Sequence, residues 1–241
     1  MNRTADAIIV GAGVIGSAVA FELAKRGYKT LNIDKLPTSG YGSTSNSCAI
    51  VRAHYSTWDG VAMAYEGFFY WDDWDDYIGV KDDRGMIKYM KTGSILFKLE
   101  GEDHSSKCLK LFKEIGVEHE IWDLGKLKEM IPIYSHDQYD GTTRPDEDDH
   151  FWDKTGKKIE GAVYTPGSGY VSDPQLTSHN LQVAAEANGG EFLFNSEITE
   201  IKQQNGRVAG VTLKTGEQID SPIVVNVAGP HSFVINRMAD V

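Results

Sequence analysis

The chain has little of what marks several protein classes. Cysteine occurs only twice in 241 residues, at Cys48 and Cys108, which excludes a disulfide framework and points to a reducing cytoplasm. No apolar run approaches the length that spans a bilayer. The opening MNRTADAIIVGAG enters a strand directly, without the long apolar core of a signal peptide. Basic residues are the minority: 24 Lys and Arg stand against 35 Asp and Glu, a formal net charge of −11. Nowhere do they cluster as a nucleic-acid partner requires. Internal repeats and low-complexity tracts are lacking too. His150, His179 and His231 show no metal-ligand spacing. The acids Asp146, Glu147, Asp148 and Asp149 lack the alternation and central glycine of an EF-hand, so a solvated loop is expected there. The expected setting is cytoplasmic, with no metal, no nucleic acid and no membrane.

What is present is a globular composition, 41% hydrophobic and 24% charged, on a chain long enough for one large domain or two modest ones. Ala7 to Val10 is a short apolar run typical of a strand buried on both faces. From Val14 to Arg26, Val14, Ala18, Phe21, Leu23 and Ala24 fall at helical spacing. Gly27 supplies a helix stop, and Lys29 to Asp34 forms a second strand. Between the first strand and the helix stand Gly11, Gly13 and Gly16. These permit a tight turn, a close approach of the backbone to a pyrophosphate, and close packing of helix on sheet. The helix N-terminus offers free N–H groups and a favourable dipole to the anion. Asp34 lies eighteen residues beyond Gly16, where a carboxylate meets ribose hydroxyls and disfavours a 2′-phosphate. Strand, turn, helix, second strand and acid together point to dinucleotide binding. They do not separate FAD from NAD.

Beyond Asp34 the chain departs from regular strand–helix alternation. GYGSTSNSCAIVR is a loop of small residues that lets a flat ring lie close to the backbone. An aromatic helix follows in GVAMAYEGFFYWDDWDDYIG, with Phe68 to Trp74 as core or interface. IKYMKTGSILFKLE reads as two strands, and SSKCLKLFKEIGVEHEIWD as a helix with Cys108, Leu111, Phe112 and Ile115 on one face. YDGTTRPDEDDHFWDKTGKKIEG reads as a long surface loop. Asp173-Pro174 opens a further helix and Gly189-Gly190 closes it. A hairpin turns at Gln204-Asn205-Gly206, and IVVNVAG is a last buried strand. The expected fold is α/β: a Rossmann-like domain over 1–85 and 164–230, interrupted by an α+β substrate domain with antiparallel strands over 86–163. Residues 231–241 are expected to begin a return to that second domain.

The order Gly11-x-Gly13-x-x-Gly16, Asp34, Gly42-Ser43-Thr44-Ser45, Arg52, Gly169-Tyr170-Val171-x-Asp173-Pro174 and Asn226-Val227-Ala228-Gly229-Pro230 resembles the FAD-dependent D-amino-acid oxidase superfamily. The sarcosine oxidase and dimethylglycine dehydrogenase branch is the nearest in pattern. The resemblance implies that Gly11 to Gly16, with Val14 and Ile15, hold the FAD pyrophosphate, and Asp34 with Lys35 the adenosine ribose. Gly42, Ser43, Thr44, Ser45 and Asn46 would run beside the flavin, Ala228 and Gly229 would approach it again, and Ile198 would meet the adenine through its backbone. Branches with a histidine-linked flavin carry histidine where this chain has Asn46, so non-covalent binding is expected. Where some sarcosine oxidases place an additional arginine, this chain has Ala49. The implied reaction is oxidation of the C–N bond of a small amino acid or N-methylated amine, by hydride transfer to flavin N5 and hydrolysis of the resulting imine.

Arg52 is the foremost catalytic candidate, since a guanidinium holds a substrate carboxylate as a bidentate fork. The alternative is an ion pair with an acid of the following helix. His54 and Tyr55 either shape the pocket and move a proton or simply pack. Cys48 is expected to be a buried, inert thiol. The chain ends eleven residues after Pro230, earlier than the family pattern. The expectation is therefore a truncated portion that needs a complementing C-terminal chain or self-association. Two rival readings remain at this stage: an NAD-dependent dehydrogenase, and a non-catalytic FAD-binding subunit.

Overall fold

A computed structural model describes residues 3–139, 144, 146–147, 150 and 152–241. Asp148 and Asp149 of the acid cluster lie outside the described residues. In chain order the first elements are β1 (Arg3–Thr4), β2 (Ala7–Val10), α1 (Val14–Lys25), β3 (Thr30–Ile33), β4 (Ile50–Val51), α2 (Trp58–Asp72) and α3 (Trp74–Ile78). Then come β5 (Tyr89–Met90), β6 (Ser94–Leu99), α4 (His104–Ile115), β7 (Glu120–Asp123), α5 (Leu124–Met130), β8 (Asp137–Tyr139), β9 (Lys154–Thr165) and β10 (Gly169–Val171). The last are α6 (Pro174–Ala187), β11 (Glu191–Leu193), β12 (Ile198–Gln204), β13 (Arg207–Leu213), β14 (Gln218–Asp220), β15 (Val224–Asn226) and α7 (Ser232–Met238).

The chain divides into two compact units, Met1–Ala49 with Asp73–Tyr89 and Val171–Val241, and Ile50–Asp72 with Met90–Tyr170. In the first, β11, β3, β2 and β15 form a parallel sheet in that order. β2 and β3 are buried throughout, as expected of parallel strands covered on both faces. A second sheet, β1-β14-β13-β12, packs on it through Ile8, Leu31, Ile33, Ile201, Val211 and Ile219. Its hairpin turns at Asn205 and Gly206, both at positive φ (54° and 73°), the requirement of a type I′ turn.

The helices follow their end signals. Asp173 caps α6 by accepting the Leu176 N–H at 2.9 Å, Pro174 takes the first turn, and Gly189 follows at φ 89°. α1 buries Gly16, Ser17, Ala20, Phe21 and Ala24. That stripe is smaller and more polar than the expected one, because small side chains let α1 lie close to the sheet and to α6.

In the second unit, β6, β9 and β7 make an antiparallel sheet. One core gathers Val61 and Phe68 of α2 with Cys108, Phe112 and Val163, and a smaller one joins Trp122, Leu127, Ile159 and Ala162. β9 begins at Lys154, so the KTGKKIEG portion of the expected loop is strand: it pairs with β8 and β6, and polar residues suit its solvent-facing end.

The division departs from the expected boundaries of 85, 163 and 230. Residues 50–72 join the second unit because Val61 and Phe68 bury there. Residues 73–89 return to the first, where the Trp74 indole N–H donates to Asn180 at 3.2 Å. Residues 231–241 also stay in the first unit, where Ile235 and Met238 pack on its core.

Candidate functional site: a glycine-lined cofactor cavity

The turn after β2 is built around two glycines with no room for a side chain. A Cβ on Gly11 would stand 2.5 Å from the Val227 carbonyl oxygen, and one on Gly16 would stand 1.9 Å from the Gly11 oxygen. Gly11 also sits at φ 109°, a conformation that favours glycine. Gly13 differs: a Cβ there would meet only Thr44 Oγ1, at 3.3 Å. It is the N-cap of α1 and has no side chain to cap with. Thr44 substitutes from the next loop, accepting the Val14 N–H at 3.0 Å.

Asp34, just past β3, accepts the Ala12 N–H at 2.7 Å on one carboxylate oxygen and the Leu36 N–H at 2.9 Å on the other. It thereby ties the glycine turn to the loop that follows β3. Ser45 donates to the carbonyls of Tyr41 and Gly42, both at 3.1 Å, and the Asn46 amide donates to Gly42 O at 2.9 Å. Their side chains are spent on holding the small-residue loop in shape.

These segments enclose a cavity of about 730 Å³. Of the expected cofactor residues, Gly11, Gly13, Val14, Ile15, Asp34, Lys35, Gly42, Ser43, Thr44, Ile198, Ala228 and Gly229 line it. Gly16, Ser45 and Asn46 do not line it. Sequence reasoning missed the contribution of the C-terminal segment. Val227, Pro230 and His231 and the α7 residues Val234, Ile235 and Met238 complete the lining. The helical spacing of those three α7 residues was the available signal. Asn32 was missed too, a lone amide in the buried strand TLNI.

The catalytic candidates belong to the second unit. Arg52 is exposed; its Nη1 donates to His54 O at 3.2 Å and its guanidinium lies 5.5 Å from the Tyr55 ring centre. No carboxylate comes within 4.0 Å of it among the described residues, so the alternative reading, an ion pair with an acid of α2, is not realised there. His54 is buried, its Nε2 2.9 Å from Thr165 Oγ1 and 3.4 Å from Ser94 Oγ. Burial, reinforced by the charges of Arg52 and His104, pushes its pKa down to about 4. It is a neutral, hydrogen-bonded imidazole near neutral pH. Tyr55 is exposed, and its carbonyl accepts the Cys108 thiol at 3.2 Å; burial pushes that thiol's pKa up. Cys48, expected to be buried, is exposed: its loop has no apolar face to bury it.

A parallel sheet whose first strand ends in a glycine turn beneath a helix N-terminus, with an acid closing the second strand, defines a dinucleotide-binding α/β protein. The family model described as FAD dependent oxidoreductase (DAO) matches residues 6–241, and the chain belongs to that family. Glycerol 3-phosphate dehydrogenase of Caloramator mitchellensis is 26% identical over 97% of this chain and 43% of its own. Glycine oxidase of Geobacillus kaustophilus is 27% identical over 89% of this chain and 52% of its own. Sarcosine oxidases are also among the relatives. L-proline dehydrogenase from P. horikoshii superposes with a TM-score of 0.80 at 21% identity, over all of this chain and 57% of that one. The chain therefore spans about half the length of the proteins it matches. The family's cofactor is FAD. The glycine cradle and the open face of Gly13 fit its pyrophosphate, as a cavity walled by side chains at those positions would not. No helix among the described residues is long and apolar enough to cross a membrane, and none of their His, Cys, Asp or Glu groupings could hold a metal ion.

Proposed function

We propose that this chain is the flavin-binding portion of an oxidoreductase that oxidises the C–N bond of a small carboxylate-bearing amine, an amino acid or N-methylated amino acid. The Gly11–Gly16 turn and the start of α1 cradle the FAD pyrophosphate through backbone N–H groups and the helix dipole. Asp34 and Lys35 would border the adenosine ribose, and Ile198 would meet the adenine through its backbone. Binding is non-covalent, the residue at the loop position that would link the ring being Asn46. When bound, FAD supplies the two-electron acceptor for the substrate carbon next to nitrogen.

One observation carries the amine reading on this chain's own residues. The Arg52 guanidinium is braced by a carbonyl and an aromatic ring while no carboxylate among the described residues engages it, leaving its forked edge for a substrate carboxylate. His54, neutral and buried, holds the loop that presents Arg52, and Tyr55 supplies the surface on which the guanidinium rests. A second reading follows from the glycerol 3-phosphate dehydrogenase relative: an arginine fork grips a phosphate equally well, and the bond oxidised would then be C–O.

The visible spectrum of the purified chain incubated with excess FAD comes first. A flavin band that survives gel filtration and is released on denaturation supports the cofactor reading, whereas a colourless chain that binds NAD sinks it. Turnover is then assayed on the catalytically complete protein, reconstituted with a complementing C-terminal chain if one is needed. Sarcosine, glycine and glycerol 3-phosphate separate the two substrate readings. Arg52→Ala should abolish turnover of the favoured substrate, and unchanged turnover removes Arg52 from the site.

A further inference from the structure

Asn32 is a fully buried amide in the middle of β3, 1% exposed, flanked by Leu31 and Ile33 in a strand that is otherwise core. Its Nδ2 donates to Gly11 O at 3.2 Å and to Gly16 O at 3.3 Å. Those are the carbonyls of the first and third glycines of the turn. The opposite amide orientation would set its oxygen against both carbonyl oxygens, so the donor end must face the turn. Its Oδ1 is buried with no hydrogen-bond partner among the described residues. A buried acceptor left unmatched costs stability, and an apolar side chain of the same shape avoids that cost. Asn32 therefore works against the fold at one end and grips the glycine turn at the other.

Peptide geometry shows what the grip does. In a trans peptide the C=O and the following N–H point in opposite directions. The Gly11 carbonyl is held by Asn32, and the N–H on the other side of the same peptide, that of Ala12, is held by Asp34 at 2.7 Å. One peptide plane is thus pinned at both edges by two side chains from a single strand and its end. The Gly16 carbonyl, held by the same amide, fixes the first turn of α1 relative to that plane.

We infer that Asn32 is a positioning residue for the phosphate-binding turn, orienting the peptides of Gly11 and Gly16 so that the N–H groups of the turn not held by Asp34 and Thr44 are presented to a pyrophosphate. It touches no ligand itself and rests on the reading of this turn as the pyrophosphate cradle.

The test is an affinity measurement on the full chain with Asn32→Leu, titrating FAD by flavin fluorescence and ADP by calorimetry, beside the thermal midpoint without ligand. Losing one oriented contact should weaken FAD and ADP alike by about tenfold, while the unliganded midpoint changes little, since the orphan Oδ1 is removed as the Gly11 carbonyl loses its donor. Unchanged affinity overturns the proposal. So does a midpoint that falls in step with affinity, which returns Asn32 to the core. A loss confined to FAD points to the flavin rather than the turn and also overturns it. Should Asn32→Leu fail to fold, Asn32→Ala is measured the same way. If neither folds, Asn32 is a fold residue and the proposal falls. An unsubstituted chain that binds neither FAD nor ADP brings down the cradle reading itself, and this inference with it. One that binds both while Asn32→Leu binds equally removes only the role given to Asn32.

Discussion

The glycine cradle of the first unit and the Arg52–His54 cluster of the second are built on opposite principles. The cradle is mostly backbone. Its shape comes from the absence of side chains at Gly11 and Gly16, and the polar groups around it, Thr44 and Asp34, act by holding main-chain N–H groups. The cluster is mostly side chain. His54, Ser94 and Thr165 meet across 111 residues of sequence, and the arginine is braced by the His54 carbonyl and the Tyr55 ring. A backbone site tolerates almost no added atoms where Gly11 and Gly16 pack against main chain. A side-chain site accepts changes of volume, yet carries a titratable group inside it.

That contrast can be broken most sharply at Gly16. Gly16→Ala forces a methyl against the Gly11 carbonyl oxygen, which α1 can relieve only by moving off the sheet. A loss of roughly 3 kcal/mol or more is expected, of the order seen for overpacking in a core. Chemical denaturation measures it, and flavin should no longer co-elute on gel filtration. A Gly16→Ala chain that still holds flavin would show that the backbone site has more give than its geometry allows.

The second unit should show the complementary sensitivity. The folded-state pKa of His54 lies at about 4, below the unfolded value near 6.5. The unfolded chain therefore binds the extra proton first as pH falls. The contribution of His54 is fully present above about pH 6.5 and is lost as pH drops toward 4, about 3 kcal/mol in all by linkage. Denaturant midpoints across that window should fall with pH, and His54→Gln should flatten the fall. An equally steep profile in that variant would locate the titrating group elsewhere.

Returning to the cradle, Asp34→Ala removes a charge-assisted acceptor from two backbone N–H groups. About 2 kcal/mol of FAD affinity, some thirtyfold in Kd, is the expected cost, readable by flavin fluorescence. Asp34→Asn, which keeps an acceptor oxygen, should lose less. The smallest effect belongs to Thr44. Thr44→Ala frees the Val14 N–H for about 1 kcal/mol, and Thr44→Ser should restore it. Denaturant midpoints read that loss of stability, and if serine fails to restore it, the Thr44 methyl rather than its hydroxyl holds the loop in place.

The two sites were also unequally legible. Gly11, Gly13, Gly16 and Asp34 sit at fixed spacings because a tight turn, a helix start and a strand length dictate them, so their places in the fold could be read off a linear string. The hairpin at Asn205-Gly206 and the cap at Asp173 were legible for the same reason: each is a local conformational demand. The boundaries were not. Which unit the aromatic helix α2 joined depended on whether Val61 and Phe68 found Phe112 and Val163, a choice among distant surfaces. Lys154 to Gly161 read as loop because its composition is polar, yet pairing with β6 and β8 made it strand. Cys48 was misplaced because a small-residue loop says nothing of which way a thiol points.

By itself, then, the sequence determined the βαβ unit, its glycine turn and acid, the helix caps and the hairpin, since each depends on contacts within a few residues or on a conformation open only to glycine. The tertiary structure alone decided that α7 walls the cavity, that Arg52 makes no ion pair among the described residues, that His54 is buried and neutral, and that Asn32 reaches two glycine carbonyls from below. Each of those depends on which distant surfaces meet and how deeply a polar group is buried, and burial and partner choice arise only once the whole chain has packed.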